Sequence, residues 1–140
     1  MRVKVLADKC VGCDSCSIIC SQNKHGAIRP KAAGIRVVKD PWAKMEKPIV
    51  CRHCKTAPCA TACPRGAVYR TPENGTVVLD AGLCNGCGIC VTTCPFGAIF
   101  MDEISGIPVK CDLCGGLNSP LCVEVCPAGA LLMEAGKISP

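Results

Sequence analysis

The stretch CNGCGICVTTCP, residues 84–95, decides the interpretation of this sequence, because its four cysteines follow the spacing C-x2-C-x2-C-x3-C and a proline follows the last. The same spacing occurs once more, and two wider variants keep the opening C-x2-C and the closing C-x3-C. All 16 cysteines of the 140-residue chain belong to these groups. The groups are Cys10, Cys13, Cys16 and Cys20 (group one); Cys51, Cys54, Cys59 and Cys63 (group two); Cys84, Cys87, Cys90 and Cys94 (group three); and Cys111, Cys114, Cys122 and Cys126 (group four). Such repetition indicates one short structural unit used several times.

The composition leaves few ways to build a core. The chain has one Trp, one Tyr and two Phe, which is too little for an ordinary hydrophobic interior. A cysteine content this high is typical of disulfide scaffolds, zinc sites or iron-sulfur clusters. Residues 1–8 show no apolar run with a cleavage site, so a cytoplasmic location without disulfides is expected. No apolar stretch of about 18 residues is present, so direct membrane insertion is not expected.

The triple C-x2-C spacing favours iron-sulfur clusters over zinc. Zinc ribbons pair two separate C-x2-C knuckles, and they give no reason for a third cysteine at the same spacing. Three thiolates spaced in this way can cap three corners of one [4Fe-4S] cube, while the last cysteine of such a run binds a second cluster in two-cluster ferredoxins. Gly12, Gly86 and Gly88 are expected to let the backbone approach the cluster and direct N–H groups at sulfur. The sequence therefore predicts four [4Fe-4S] clusters.

A second repeat, C-P-x-G-A, begins at the last cysteine of three groups, namely Cys63, Cys94 and Cys126. Proline disfavours the helical conformation of the residue before it, so these three cysteines are predicted to turn away from their own loops. Cys20 is followed by Ser21 and lacks this aid. Whether Cys20 also turns away stays open at this point.

The predicted secondary structure is short and lies beside the cysteine groups. Strands are predicted at residues 2–6, 35–39, 67–70, 76–80, 99–102, 107–110 and 130–134. The strands at 67–70 and 76–80 flank Asn74-Gly75, which is typical of a hairpin turn, and the next two strands repeat this arrangement. The three residues before each fourth cysteine are predicted to form single helical turns. The segment 21–47 is predicted to be a long loop with one strand.

The net charge argues against nucleic acid as a partner. The formal charge of +5 counts every cysteine as neutral. A [4Fe-4S] site with four thiolates carries about −2 when oxidised, so four sites bring the sum to about −3. The lysines and arginines then compensate buried negative charge, and they lack the interleaved aromatic residues of a nucleic-acid surface.

The segments CRHCKTAPC (residues 51–59), KCDLC (residues 110–114) and PLCVEVCP (residues 120–127) resemble a known family. These are the four-cluster ferredoxin-like electron-transfer subunits of dimethyl sulfoxide reductase, formate dehydrogenase and carbon monoxide dehydrogenase systems. The sequence has almost none of the insertions and C-terminal extensions common in that family. In this respect it resembles the compact small subunits of tungsten-dependent aldehyde oxidoreductases.

The resemblance implies an α+β fold of two pseudo-symmetric halves, each like a bacterial 2[4Fe-4S] ferredoxin. Groups one and four would form an outer half, residues 1–50 plus 103–140, closed by its two terminal strands. Groups two and three would form an inner half, residues 51–102. The resemblance also implies four ligand sets, each with three cysteines of one group and the last cysteine of its partner. They are Cys10, Cys13, Cys16 and Cys126 (cluster A); Cys111, Cys114, Cys122 and Cys20 (cluster B); Cys51, Cys54, Cys59 and Cys94 (cluster C); and Cys84, Cys87, Cys90 and Cys63 (cluster D).

The function favoured by this resemblance is the relay of single electrons. The partners would be a large catalytic oxidoreductase subunit, of the tungsten or molybdenum aldehyde oxidoreductase type, and a further electron donor or acceptor protein. No residue set resembles a nucleophile, a general base or a phosphate loop, so no catalytic residue is predicted. The alternatives are a freely diffusing polyferredoxin, a subunit of a carbon monoxide dehydrogenase, formate dehydrogenase or hydrogenase complex, and an enzyme with an open iron site. The complete set of cysteines argues against the last.

Overall fold

The computed structural model describes residues 2–40, 42, 45–72, 75–116 and 120–134. Its helices and strands are short, and they alternate along the chain. The strands are β1 (Arg2–Val5), β2 (Ile35–Asp40), β3 (Met45–Val50), β4 (Val68–Arg70), β5 (Val77–Leu79), β6 (Phe100–Met101), β7 (Pro108–Val109) and β8 (Leu131–Glu134). The helices are α1 (Ser15–His25), α2 (Pro58–Ala62), α3 (Ile89–Thr93), α4 (Leu113–Gly116) and α5 (Leu121–Val125), with 3-10 turns at Ala7–Lys9 and Pro30–Ala32. The mixture agrees with the predicted α+β class.

The described strands pair only two at a time, in the orders β1-β8, β2-β3, β4-β5 and β6-β7, and all four pairs are antiparallel. The predicted pairing of the terminal strands is confirmed, with Arg2 opposite Glu134 and Val5 opposite Leu131. The Arg2 guanidinium also donates to the Glu134 carboxylate at 3.0 Å. This sheet brings the two ends of the described chain together.

Both predicted hairpins are present, with shorter strands than predicted. Beside β4 and β5, the Thr71 N–H donates to the carbonyl of Thr76 at 2.8 Å, while Asn74 of the predicted turn lies outside the described residues. Between β6 and β7, the Asp102 carboxylate accepts hydrogen bonds from the Ile104 N–H at 3.1 Å and the Ser105 hydroxyl at 3.0 Å. The second hairpin crosses the predicted boundary between residues 102 and 103.

The prediction for residues 21–47 is correct in its one strand, which is present as β2, but wrong in treating the rest as a long loop. Helix α1 continues through Cys20 to His25 and ends at Gly26, whose φ of 70° is the left-handed conformation that glycine favours at a helix end. No proline follows Cys20, so nothing stops the helix there. Ser21 is fully buried, and its hydroxyl donates to the Ile18 carbonyl and accepts from the Arg29 N–H, at 2.9 and 3.0 Å.

The same segment contains a second strand, β3, which the sequence did not reveal. It pairs with β2 over six residues, from Ile35 opposite Val50 to Asp40 opposite Met45. β3 contains Pro48, and proline in a run of residues argues against a central strand. Proline is tolerated here because β3 pairs with β2 alone among the described strands.

The interior consists of small aliphatic side chains and cysteines, as the scarcity of aromatic residues predicts. One buried cluster contains Val3, Cys16, Ile35, Val50, Cys51, Ala98, Cys111, Leu113, Cys122 and Leu131. A second contains Ala57, Cys59, Val68, Val77, Cys90 and Ile99, and the partly buried Cys94 packs against both. The first cluster includes Cys51 and Ala98 from the predicted inner half, so the two halves share packing, and their boundary stays a prediction. None of the helices in the described ranges is long and apolar enough to cross a bilayer.

Candidate iron-sulfur centres

Three cavities inside the protein are each lined by four cysteines. The sets are Cys10, Cys13, Cys16 and Cys126; Cys20, Cys111, Cys114 and Cys122; and Cys51, Cys54, Cys59 and Cys94. The empty volumes are about 310, 340 and 340 Å³ in the same order. The sets coincide with ligand sets A, B and C, whose binding of clusters stays a prediction.

The fourth set gathers around Cys90. Burial raises the pKa of the Cys90 thiol to about 11, and nearby Cys84 and Cys63 contribute to the rise. These three residues belong to ligand set D. Its remaining member, Cys87, lies in the same loop and is exposed.

The most buried thiols of these sets favour the protonated form unless a positive charge nearby stabilises the thiolate. Burial raises the pKa of Cys16 to about 11 and that of Cys111 to about 12. Neighbouring thiolates of the same set raise the pKa of Cys16 further. A bound metal removes these protons, because its charge stabilises the thiolate form. The sets are therefore suited to hold a cationic iron-sulfur core.

Each cysteine group has a left-handed residue two positions after its first cysteine. The φ values are 71° for Gly12, 48° for His53, 79° for Gly86 and 57° for Leu113. The N–H groups of the last three donate to the thiol two residues earlier, at 3.3 to 3.4 Å. Gly86 thus behaves as predicted, whereas His53 and Leu113 were missed. Their position in the C-x2-C spacing is the signal that could have revealed them.

The C-P-x-G-A repeat has one geometry in all three copies. Its cysteine is extended, with ψ between 112° and 116°, as expected before proline. Its glycine is left-handed, with φ between 61° and 65°. Its alanine is buried, and the alanine N–H donates back to the cysteine thiol at 3.3 to 3.5 Å. The repeat therefore turns Cys63, Cys94 and Cys126 away from their own loops and holds each thiol in place.

Cys20 reaches a cysteine set by another route. It lies within α1, and its thiol accepts a hydrogen bond from the Gly34 N–H at 3.3 Å. It lines the same cavity as Cys111, Cys114 and Cys122. The question left open by the sequence is resolved, because Cys20 turns toward group four without a proline.

The geometry fits a cube of iron and sulfide better than a single ion. Across the described ranges, no three His, Cys, Asp or Glu side chains converge closely enough to hold one metal ion. The thiols of sets A, B and C instead surround an open space. Zinc needs four sulfur atoms about 2.3 Å from one centre, so it does not suit this arrangement.

The four sets lie in a row. Cys16 of set A raises the pKa of Cys122 of set B, although burial is the larger cause. In the same way Cys51 of set C acts on Cys111 of set B, and Cys59 of set C acts on Cys90 of set D. The buried clusters agree with these contacts, because Cys16, Cys111, Cys122 and Cys51 pack together in one and Cys59 and Cys90 in the other. The order A, B, C and D accounts for both observations.

Comparison with known families agrees with this geometry. Residues 42–136 match the 4Fe-4S dicluster domain, and residues 7–23 match a 4Fe-4S binding domain. The chain belongs to the 4Fe-4S dicluster domain family. The prediction of [4Fe-4S] binding is confirmed at the level of the family, while the number of clusters and their ligand sets stay predictions.

Several similar proteins are named as subunits of oxidoreductases. The polyferredoxin-like subunit of aliphatic sulfonate oxidoreductase from Pyrococcus furiosus is 38% identical over 114 residues, which cover 81% of this chain and 65% of that protein. The thiosulfate reductase electron transfer subunit PhsB from Salmonella typhi is 34% identical over 116 residues, covering 76% and 58%. The chain thus spans less than two thirds of these relatives. In the solved active site complex BamBC of benzoyl coenzyme A reductase, a chain has 30% identity and a TM-score of 0.55, covering 93% of this chain and 76% of that one.

These relatives are named as electron-transfer or ferredoxin-like subunits. Their names agree with the prediction of an electron-transfer role.

Proposed function

We propose that this chain is the electron-transfer subunit of an oxidoreductase and that it carries four [4Fe-4S] clusters on ligand sets A to D. The observation that carries the proposal is the grouping of all 16 cysteines into four sets, three of which line cavities of similar size. When bound, each cluster accepts and releases one electron. The protein supplies the spacing, the burial and the N–H groups directed at sulfur.

The row of sets supports a path with two ends. Sets A and D lie at the ends, and their members Cys13 and Cys87 are the two exposed cysteines. Apolar side chains lie within two residues of these cysteines in the sequence, with Val11 63% exposed and Ile89 41% exposed. We propose that one end meets the catalytic subunit and the other meets a further electron donor or acceptor. Exposed apolar residues around a charge-carrying site are typical of protein contact surfaces.

For the catalytic subunit we favour a tungsten or molybdenum enzyme of the aldehyde oxidoreductase type. The support is the resemblance of the sequence to the compact small subunits of those enzymes. The similar chain in BamBC is part of a reductase active site complex, which supports direct contact with a catalytic subunit. We also propose a cytoplasmic location, because thiolate ligands require a reducing compartment.

Iron and sulfide analysis tests the cofactor proposal. The full chain, purified from its native cell without oxygen, should contain about 16 iron and 16 acid-labile sulfide per chain. It should be brown and should bleach with dithionite. A colourless protein that contains zinc, or an iron content far below this value, would overturn the proposal.

Co-purification tests the partner proposal. A tagged full-length chain should bring down a larger subunit that contains tungsten or molybdenum, which mass spectrometry and elemental analysis would identify. A chain that is recovered alone as a monomer would favour the free polyferredoxin. A partner without either metal would point to a carbon monoxide dehydrogenase or hydrogenase complex instead.

The two ends can be tested separately in that complex. Val11→Glu should slow electron exchange at one end only, and Ile89→Glu should slow it at the other end only. Ile104 is 81% exposed but lies outside the cysteine groups, so Ile104→Glu is the matched control. Stopped-flow reduction from each side measures the rates. Equal effects of all three substitutions would contradict the assignment of the ends.

A further inference from the structure

Lys110 is a lysine in the interior of the protein. Its side chain is only 3% exposed, and its ammonium group donates to the main-chain oxygens of Val77 and Cys111, the latter at 2.6 Å. Within the described part of the chain, none of the ion pairs includes Lys110. Burial of a charge without an opposite charge is unfavourable, so a lysine in this position calls for a balancing negative group.

The two carbonyl groups that hold Lys110 belong to neighbouring cavities. Cys111 lines the cavity of set B, and Val77 lines the cavity of set C. The ammonium group therefore lies between the second and third sets of the row. A [4Fe-4S] site with four thiolates carries negative charge, so two such sites would supply the balance that Lys110 lacks.

The contacts of Lys110 place its charge beside both central sets. Lys110 directly precedes Cys111 of set B, and Val77, whose carbonyl it contacts, packs with Cys59 of set C in one buried cluster. Another lysine near set B is placed differently. Lys24 lies near Cys20 but pairs with the Asp112 carboxylate at 3.3 Å, which offsets its charge.

We propose that Lys110 raises the reduction potentials of clusters B and C, the two central clusters, by placing a buried positive charge between them. The inference rests on the proposed function. It adds a residue that sets the reduction potentials of the two central clusters relative to those of the two end clusters. Reduction adds one negative charge to a cluster, and a nearby cation stabilises that reduced form. The effect is strong in the interior, where water does not screen it. Lys110 thereby makes the middle of the row accessible to electrons that arrive at either end.

Two substitutions separate charge from hydrogen bonding. Lys110→Gln removes the charge and keeps a donor for the two carbonyl groups, whereas Lys110→Arg keeps both the charge and the donors. Lys110→Met removes the charge and the donors at similar volume, so it serves as a second neutral variant. Lys24→Gln is the control for a lysine that lies near cluster B but is paired with Asp112.

The experiment is an anaerobic redox titration of the loaded full-length chain, followed by electron paramagnetic resonance. Cys13→Ser and Cys87→Ser mark the signals of clusters A and D by perturbing them. In Lys110→Gln and Lys110→Met, the two other clusters should shift to lower potential while A and D stay at the wild-type values. Lys110→Arg should restore the central potentials, and Lys24→Gln should leave all four in place.

Several results would overturn the inference without touching the proposed function. One is a fully loaded Lys110→Gln with unchanged potentials, and another is an equal shift of all four clusters. Loss of clusters B and C in both neutral variants would also overturn it, because Lys110 would then serve assembly instead of potential. Failure of the proposed function is distinguishable, since the wild-type chain would then lack four clusters before any substitution is made.

Discussion

The last cysteines of the four groups are held in two different ways. Cys63, Cys94 and Cys126 are each fixed by residues within their own C-P-x-G-A pentapeptide, the alanine N–H of which lies four positions along the chain. Cys20 is fixed by the Gly34 N–H, 14 positions away, and it lies inside a helix. The Cys20 thiol is thus held by a contact distant in sequence, whereas the other three thiols are held by contacts within their own pentapeptides.

The tertiary solution depends on a segment that is itself held by polar contacts. Arg29, between α1 and β2, contacts both oxygens of the buried Asp102 carboxylate at 2.8 and 3.1 Å. His25 contacts the Ala32 carbonyl at 2.8 Å. Although burial opposes it, hydrogen bonds from Ile104, Ser105 and Arg29 lower the pKa of Asp102, so the charged form is favoured. Cys20 is therefore more sensitive to changes far from it in sequence than its three counterparts.

Iron removal should have the largest effect on stability. It should remove the difference between Cys20 and the other three last cysteines, because none of them would then have a cluster to bind. A chelator under reducing conditions should leave a chain without cooperative unfolding, because cysteines make up much of both buried clusters and metal binding is coupled to folding in small domains. Far-ultraviolet circular dichroism during a thermal ramp measures this. A cooperative transition in the iron-free chain would show that the polypeptide packs without its clusters.

Gly34→Ala should have the next largest effect, because Gly34 donates the N–H hydrogen bond that holds the Cys20 thiol. A Cβ at this position would lie 2.8 Å from the Cys111 nitrogen and 2.9 Å from the Lys110 carbonyl carbon, and backbone atoms cannot move aside easily. We expect a loss of about 1–3 kcal/mol in stability and of about a quarter of the iron, from cluster B. Iron analysis and thermal unfolding measure both.

The matched control is Gly66→Ala, in the local support of Cys63. Gly66 has φ of 64° but nothing within 4 Å of a new Cβ, so only backbone strain of about 1 kcal/mol is expected, with full iron content. Equal iron loss in the two variants would mean that Cys20 and Cys63 are equally dependent on their supports.

Ser21→Ala tests the residue that takes the place of proline after Cys20. The substitution leaves the Arg29 N–H without its acceptor in the interior, which should reduce the free energy of unfolding by about 1–3 kcal/mol. Chemical denaturation of the loaded protein measures the change. Ser17→Ala, which removes a bond to the nearby Asp14 carbonyl in the same helix, is the control for a purely local contact. A change no larger than in that control would argue against a distant anchor.

Pro64→Ala should have the smallest effect. The proline is exposed and restricts Cys63, while the Ala67 N–H still holds the thiol at 3.3 Å. We expect a loss of at most about 1 kcal/mol, mostly through the flexibility of the unfolded chain. Denaturation together with the visible spectrum of the clusters measures it. A larger loss than in Ser21→Ala would reverse the ranking of the two supports.

The sequence predicted those parts of the molecule whose cause is local. Cys63, Cys94 and Cys126 turn as the following prolines require, and Gly86 places its N–H on Cys84 as expected. The terminal strands were paired correctly from one pattern of the resembled family, in which groups one and four form one half closed by these strands. Each of these features depends on residues close together or on one simple pattern.

The parts that were missed depend on distant contacts. Ser21 is an unfavourable core residue in isolation, and only the Arg29 N–H explains its burial. Pro48 concealed β3, whose pairing needs β2 beside it. His53 adopts a conformation usually reserved for glycine, and it does so because its N–H donates to Cys51. Such contacts exist only once the chain is folded, so residue patterns alone do not report them.

The pairing of β1 with β8 also constrains the order of events during synthesis. β1 lacks its partner strand until residues 131–134 have left the ribosome, so sets A and B, which combine cysteines from opposite ends of the described chain, are completed late. Sets C and D draw only on residues 51–94 and can gather earlier. Contacts distant in sequence form slowly and leave apolar surface uncovered in the meantime. The nascent polypeptide is thus expected to acquire its inner pair of clusters first and to complete the outer pair only after residues 131–134 have emerged.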